Sequence, residues 1–380
     1  MKIMLIEDDP LKKREIKNFL MSKDIDENDI ILAGSMTEFT SNLHQDIGLF
    51  IIDLKLPNFD DGEASRNGRA ILETIIKTSK HEALLLAISS FPDEFPDLRD
   101  YYESHGCILC GYSNKKVWQS TLEHLLVQLK KQMTKDFLIF CALKEERDPY
   151  IPLLNGKKVN RRGIDFYDVD INGLKGSIVL LPQMGLVNSA IIAGICIDRY
   201  SPSLVGMSGI CGGFSKNTAL GQLLISQMAY EYQSGKWTEE GFKQEPYQVN
   251  TDNNTLTNLG LLIDNENLIA ELETGNFSPR PRISHRPKLG IFTSGSAVIA
   301  KSDLLSDILE SHRKASGLDM EVFSIHRAAE LAKNKPCCIC AKTVVDLCDS
   351  DKSDDLHAYG SFISAKFMLI AVVDFFNKNL

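Results

Sequence analysis

No stretch of this 380-residue chain approaches the roughly 20 consecutive apolar residues that a membrane helix needs. Positive charge is not in excess either. The 42 Lys+Arg stand against 51 Asp+Glu, a formal net charge of −9. That balance disfavours a general nucleic-acid or anionic-membrane binder, while leaving room for a local basic pocket. Internal repeats and low-complexity tracts are missing. So are paired CxxC motifs at zinc-like spacing. Of nine cysteines, Cys107 and Cys110 form a lone CxxC inside an apolar run, and Cys337, Cys338 and Cys340 share one apolar stretch. Buried reduced thiols are expected, as in a cytoplasmic protein. The opening residues Met1–Asp9 turn acidic after four apolar residues, which reads as a buried strand rather than a signal peptide. What remains is ordinary globular material, 43% hydrophobic and 24% charged, which argues against a mainly disordered chain. The length suggests two or three domains at about 100–200 residues each.

Two strand–helix series are visible. In the first, apolar runs at Ile3–Ile6, Ile30–Leu32, Leu49–Ile52, Ala83–Ile88 and Cys107–Cys110 alternate with helical patterns such as Leu11–Leu20 and Gly68–Thr78. Five short strands separated by helices predict an α/β fold with a doubly wound parallel sheet. The amphipathic segment Ser120–Met133, ending in Lys130, Lys131 and Lys135, closes this series. A domain over 1–131 and a second over 136–380 follow, with the boundary near 130–136. The second series starts at Phe137–Ala142. Its clearest strands are Gly176–Leu181, Leu204–Ser208, Gln222–Gln227, Lys288–Thr293 and Cys337–Val344, and an apolar helix over about Phe362–Asn377 packs on their sheet. The polar stretch Gln244–Asn258 reads as a loop insertion.

Chemistry in open parallel sheets collects at the carboxyl ends of strands. Glu7, Asp8 and Asp9 follow the first strand, Asp53 ends the third, and Ser89 and Ser90 end the fourth. Clustered carboxylates suit a hard cation such as Mg²⁺, and an Asp beside it can accept a phosphoryl group. In this the first 130 residues resemble a response-regulator receiver domain of flavodoxin-like fold. The resemblance implies Glu7, Asp8 and Asp53 as Mg²⁺ ligands, Asp53 as phosphoacceptor with Pro57 four residues on, and Ser89 as the switch residue. The family's Lys-Pro after the fifth strand is absent. Gly111 stands at the lysine position, and Lys115 or Lys116 would have to reach back.

Four segments of the second series place polar residues at strand ends: Cys141–Arg147, Val205–Phe214, Gly317–Val322 and Ala341–His357. A lone Gly-x-x-Gly-Gly, as at Gly209, Gly212 and Gly213, marks no more than a turn. Together, and with Gln183-Met184-Gly185-Leu-Val-Asn188, the segments resemble the nucleoside phosphorylase/nucleosidase superfamily over about Phe137 to Leu380, an α/β domain with a mixed sheet. Cleaving an N-glycosidic bond requires leaving-group protonation, stabilisation of an oxocarbenium-like ribosyl group, and a nucleophile. The resemblance implies Asp346 as the acid at purine N7, Glu321 on the ribose 2′- and 3′-hydroxyls, Met320 against the sugar, and Ile210, Cys211 and Gly212 beside the substrate. Glu146 stands where hydrolases of the superfamily hold water. Ile210 occupies a place where phosphorylases carry a hydroxyl, and an apolar side chain is poor company for inorganic phosphate. Hydrolysis, with no cofactor for the cleavage itself, is therefore expected.

Gly209-Ile-Cys-Gly-Gly is closer to AMP nucleosidases than to the methylthioadenosine enzymes. Basic runs at Arg280, Arg282 and Arg286, and at Lys157, Lys158, Arg161 and Arg162, offer charge for a polyphosphate. A receiver joined to a nucleosidase resembles the ATP nucleosidase effectors of Detocs-type two-component phage-defence systems. That resemblance implies a sensor histidine kinase or phosphotransfer partner and cleavage of ATP or dATP to adenine and the (deoxy)ribose 5-triphosphate. A homo-oligomer in the cytoplasm is expected. The alternative is a methylthioadenosine/S-adenosylhomocysteine-type nucleosidase or a purine nucleoside phosphorylase under receiver control.

Overall fold

The structure is a computed structural model that describes residues 2–59, 64–65, 67–78, 83–91, 95–245, 247–297, 308, 312–348 and 354–379. It divides into two compact units, Met1–Met133 and Thr134–Leu380.

In the first unit, strands β1 (Lys2–Ile6), β2 (Ile30–Ala33), β3 (Ile47–Ile52), β4 (Leu84–Ser89) and β5 (Cys107–Gly111) alternate with helices α1 (Pro10–Ser22), α2 (Met36–Asn42), α3 (Gly68–Lys77), α4 (Phe95–Ser104) and α5 (Lys115–Met133). The order β2-β1-β3-β4-β5 is all parallel, the flavodoxin-like doubly wound order. Its strands read as continuous apolar runs because both faces are covered. Met4, Ile6, Phe50 and Ile52 pack toward α2, α3 and α4, and Ile3, Leu5, Leu49 and Ile51 toward α1 and α5. Helix α1 starts where Asp9 accepts the N–H groups of Leu11 (2.8 Å) and Lys12 (3.1 Å), with Pro10 at its first position. Such caps fix helix starts to the residue.

The second unit holds β6 (Phe137–Cys141), α6 (Lys144–Arg147), β7 (Gly156–Arg161), β8 (Ile164–Ile171), β9 (Leu174–Leu180), α7 (Leu186–Tyr200), β10 (Leu204–Gly213), β11 (Leu223–Glu231), β12 (Gln248–Asn250), α8 (Asn253–Ile263), β13 (Lys288–Ser294), β14 (Ala315–Asp319), α9 (Val322–Leu331), β15 (Cys337–Asp346) and α10 (His357–Asn379). These strands form a mixed sheet ordered β12-β11-β13-β14-β10-β6-β9-β8-β7, with β15 paired to both β10 and β11. The pairings β10-β15-β11-β13-β14-β10 close a ring. Helices α7 and α9 cover one face through Ala193, Ile197, Val322 and Ile325. Helix α10 covers the other through Ile363, Phe367, Met368 and Val372.

Three expectations change. The glycine-rich segment after Ser208 is not a turn. Strand β10 runs straight through it to Gly213, because its glycines serve close approach rather than chain reversal. Gln244–Asn258 is not all loop. Strand β12 adds to β11, and Asp252 caps α8 by accepting the Thr255 N–H at 2.9 Å. Finally, His357–Lys378 is long and apolar enough to span a bilayer by length and composition, and two thirds of that apolar window is buried inside the protein. The meander β7-β8-β9 had no expected counterpart in its first two strands. Strand β7 is a solvated edge, Gly156-Lys-Lys-Val-Asn-Arg161, without apolar alternation. There Arg161 pairs with Asp168, and Lys157 and Lys158 are exposed.

Candidate active site

A cavity of about 190 Å³ opens among the ends of β6, β10, β14 and β15. Its lining includes Glu146, Met184, Ile210, Cys211, Gly212, Met320, Glu321, Lys342, Asp346 and His357. The structure therefore gathers Glu146, Ile210, Cys211, Gly212, Met320, Glu321 and Asp346 from four distant segments into one site.

Glu146 is buried at 1% exposure. It sits on the short helix α6 and reaches back, so that Oε2 accepts the N–H groups of Ala142 (2.7 Å) and Leu143 (2.9 Å). Oε1 accepts the Ile210 N–H at 2.9 Å. Three backbone donors thus fix the carboxylate. Gly209 makes the approach possible: a Cβ there would lie 2.0 Å from Glu146 Oε1. Burial pushes the Glu146 carboxyl above its ordinary range, opposed by the Lys342 charge and the Ile210 hydrogen bond and reinforced by Glu321. A carboxylate so placed is a base of raised proton affinity.

Glu321 stands at the start of α9. Its Oε1 accepts the Gly185 N–H at 3.0 Å, and its Oε2 lies 3.0 Å from Lys342 Nζ. Gly185, at φ 109°, occupies backbone space that a side chain disfavours. Asp319 Oδ2 also meets Lys342 Nζ at 2.9 Å, and it caps α9 by accepting the N–H groups of Glu321 (3.1 Å) and Val322 (2.9 Å). Burial works against the Lys342 ammonium, but Asp319, Glu321 and Glu146 outweigh it and raise its proton affinity well above the ordinary value. Lys342 is thus the counter-charge that allows three carboxylates to share a buried site. Neither Lys342 nor Asp319 had been given a role. The available signal was a lysine in the middle of the apolar run Cys337–Asp346, since a buried ammonium demands acidic partners.

Asp346 ends β15 opposite Gly212 of β10. Its Oδ1 accepts the Cys348 N–H at 2.9 Å. Asp349 and Asp351, its neighbours in sequence, lie outside the described residues. His357 faces the cavity rim, with Nδ1 3.0 Å from Glu145 and Nε2 3.3 Å from Asp354. Arg280, Arg282 and Arg286 do not line the described cavity. Arg280 pairs with Glu273 at 2.9 Å, and the other two are exposed.

With Asp346 at one strand end, the fixed buried Glu146 in the same cavity and Glu321 beside Lys342, the cavity has the functional groups for glycosidic cleavage. A family profile described as the Phosphorylase superfamily matches residues 136–369. The chain belongs to the phosphorylase superfamily. A protein of Sinorhizobium fredii (strain NBRC 101917 / NGR234), y4jS, is 26% identical over 100% of both chains. ATP nucleosidase Cap17 of Escherichia coli (strain KTE188) is 27% identical over 55% of this chain and 44% of its own length, so the match spans less than half of that relative. Among solved structures, the 5′-methylthioadenosine/S-adenosylhomocysteine nucleosidase of Neisseria meningitidis aligns with a TM-score of 0.51 and 17% identity, covering 63% of this chain and 98% of that one. The phosphorylase-superfamily unit is therefore a nucleosidase-like fold.

The first unit has its own acidic pocket. Glu7 and Asp53 are buried, and with Asp8 they bring carboxylate oxygens within 4.8 Å of one another. Lys12 Nζ lies 2.7 Å from Glu7 Oε2 and 3.0 Å from Asp53 Oδ1, itself buried. The lysine of this pocket thus comes from α1. Lys115 does not reach back: it is exposed and pairs with Glu15, and Lys116 is exposed too. Burial, opposed by Lys12 and reinforced by Asp53, pushes the Glu7 carboxyl up to about 7. Burial likewise raises Asp53, against the pull of Lys12. Ser89 is buried at the end of β4, where its Oγ accepts the Phe91 N–H at 3.1 Å.

Proposed function

We propose that the second unit hydrolyses the N-glycosidic bond of an adenine nucleotide, ATP or dATP, releasing adenine and the ribose 5-triphosphate. The observation that carries hydrolysis is the charge of the cavity. Glu146, Asp319, Glu321 and Asp346 face only Lys342 and His357 among the described lining residues. That balance disfavours a free phosphate ion inside the cavity and accepts water, and it requires the substrate's 5′-triphosphate to extend out of the cavity. In this reading Glu146 takes a proton from water that attacks the anomeric carbon. Asp346 protonates the purine as the C–N bond breaks. Glu321 holds the ribose hydroxyls, and Met320 packs on the sugar. The nucleotide assignment is supported by the likeness to an ATP nucleosidase. It draws no support from Arg280, Arg282 and Arg286, which stand outside the cavity lining. A second reading, a nucleoside with an apolar 5′ group such as methylthioadenosine, is favoured by Met184, Ile210, Ala297, Leu318 and Val345 in that lining.

The first unit is proposed to act as a receiver that controls this activity in an antiviral two-component system. Its parallel strand order and its buried Asp53 support the reading. Glu7, Asp8 and Asp53 fit a hard cation in charge and proximity. Mg²⁺ held there would offset their repulsion and hold phosphoryl oxygens. A sensor kinase would phosphorylate Asp53, and Ser89 would follow the phosphate. The enzyme is proposed to work as a cytoplasmic homo-oligomer.

Incubating the protein with ATP, AMP, adenosine and methylthioadenosine, with and without phosphate, and measuring released adenine tests the catalytic reading. Phosphate-independent release, fastest from ATP, is expected. Release only with phosphate would make the protein a phosphorylase, and preference for methylthioadenosine would establish the second reading. Glu146→Gln should abolish hydrolysis, because the amide accepts no proton from water.

A further inference from the structure

Behind the cavity lies a second cluster of ligating side chains. His326 of α9 and Cys338 and Cys340 of β15 place a ring nitrogen and two sulfurs within 4.8 Å of one another. None of the three lines the cavity. Cys338 and Cys340 are two apart on a strand, so they share the face that packs against α9. We infer that His326, Cys338 and Cys340 form a Zn²⁺ site that clamps α9 to β15.

Four observations carry this. First, the donor set of two thiols and one imidazole is that of thiophilic d¹⁰ ions. Second, the spacing fits. Two thiolates each about 2.3 Å from a tetrahedral zinc stand about 3.8 Å apart, and Cys338 Sγ and Cys340 Sγ are 3.8 Å apart. Third, His326 is 2% exposed and its ring is hydrogen-bonded to the Cys340 thiol, so imidazole and thiol already converge in the interior. Fourth, two thiolates and Zn²⁺ sum to zero charge, as burial requires. Three protein ligands leave the fourth position of a tetrahedral ion to water.

The consequence follows from what the two elements carry. His326 lies five residues beyond Glu321, at the start of α9, and Cys340 lies two residues before Lys342. A metal here would tie the element that begins at Glu321 to the strand that holds Lys342 and Asp346. Its role is structural, since none of its ligands lines the cavity.

The test uses full-length protein stripped with a chelator and titrated with Co²⁺, then Zn²⁺. One equivalent of Co²⁺ should give thiolate-to-cobalt charge-transfer absorption, displaced by Zn²⁺, and Zn²⁺ should raise the unfolding temperature. Cys338→Ser, at a half-buried position, should keep the metal-free unfolding temperature and weaken Zn²⁺ binding by about two orders of magnitude or more, since one of two thiolates is gone. Cys337→Ser, next along the strand, should bind like wild type. Three results would overturn the site: no thiolate–cobalt band, equal loss in Cys337→Ser and Cys338→Ser, or a Cys338–Cys340 disulfide in protein purified without reductant.

Discussion

Replacing Lys342 by methionine removes the ammonium that stands 2.9 Å from Asp319 and 3.0 Å from Glu321 and steadies the charge on Glu146. Methionine matches the lysine stem as far as Cε and leaves out the ammonium, so the effect is mainly electrical. Removing one partner of a buried pair costs about 3–5 kcal/mol, a large share of the roughly 5–15 kcal/mol that holds a domain folded. The stranded carboxylates are relieved only by protonation. Carboxyls whose folded proton affinity is raised contribute stability below their unfolded value, and that contribution is lost as pH rises through the folded value. The deficit of Lys342→Met should therefore be smallest at about pH 4 and grow toward neutral pH. Catalysis should report the same loss. In the proposed mechanism Glu146 works ionised, and burial raises its proton affinity, so the acid limb of adenine release should move to still higher pH in the variant. Lys342→Arg, which keeps the charge, should restore part of both. Urea unfolding across pH and the pH–rate profile of adenine release measure the two effects. Wild-type unfolding at pH 7.5 together with an unmoved acid limb would refute the reasoning.

Asp346→Asn should leave folding intact and cut adenine release by about two to four decades, the range for a positioned proton donor; near-normal release would remove it from the acid role. Gly209→Ala should displace Glu146, since the added Cβ falls 2.0 Å from its Oε1, and a variant with normal turnover would show that the carboxylate tolerates the shift. In the first unit, Asp53→Ala should accept no label from a small phosphodonor and should uncouple adenine release from a kinase while sparing its basal rate. Lys12→Met should be destabilised by about 3–5 kcal/mol and should gain more stability from Mg²⁺ than wild type does; equal response of the two proteins to Mg²⁺ would separate Lys12 from the cation site.

The parts of the candidate site that were legible in sequence are those whose chemistry sits at strand ends. Glu146 follows β6, Glu321 follows β14 and Asp346 ends β15, and a carboxylate directly after an apolar run can be seen without coordinates. What escaped is what depends on neighbours across the sheet. Lys342 is meaningful only because β15 and β14 bring it to Asp319 and Glu321. Gly209 had been read as part of a turn because a glycine that makes room for another residue's carboxylate looks, in sequence, like one that reverses the chain. The Arg280 run is the opposite case: its charge is plain in the sequence, yet its first member is taken by Glu273. Clustered charge states what a segment could attract, and only packing decides whether it faces a ligand.

The first unit shows the same limit with a different outcome. A lysine was sought after the fifth strand because the receiver family carries Lys-Pro there, and Gly111 stands in its place. Neither Lys115 nor Lys116 fills the gap, and the lysine that meets the acidic pocket comes from another element. Lys12 lies on the first turn of α1, fixed by the Asp9 cap and Pro10, and the chain enters that helix directly from the acidic loop. A side chain five residues after Glu7 can therefore fold back over it, 2.7 Å away, with its ammonium 5.6 Å from the centre of the Tyr112 ring. In sequence Lys12 is one of three consecutive basic residues, Lys12, Lys13 and Arg14, at a helix start, a place where charge is normally solvated. Burial at 2% exposure distinguishes it, and burial is a property of the α1–β1–β3 packing rather than of the local pattern. Since Lys12 already bridges two of the carboxylates that would ligate a cation, metal loading and lysine position at this pocket are one coupled equilibrium. A phosphoryl group placed on Asp53 would meet Lys12 directly, so α1 is the element expected to respond.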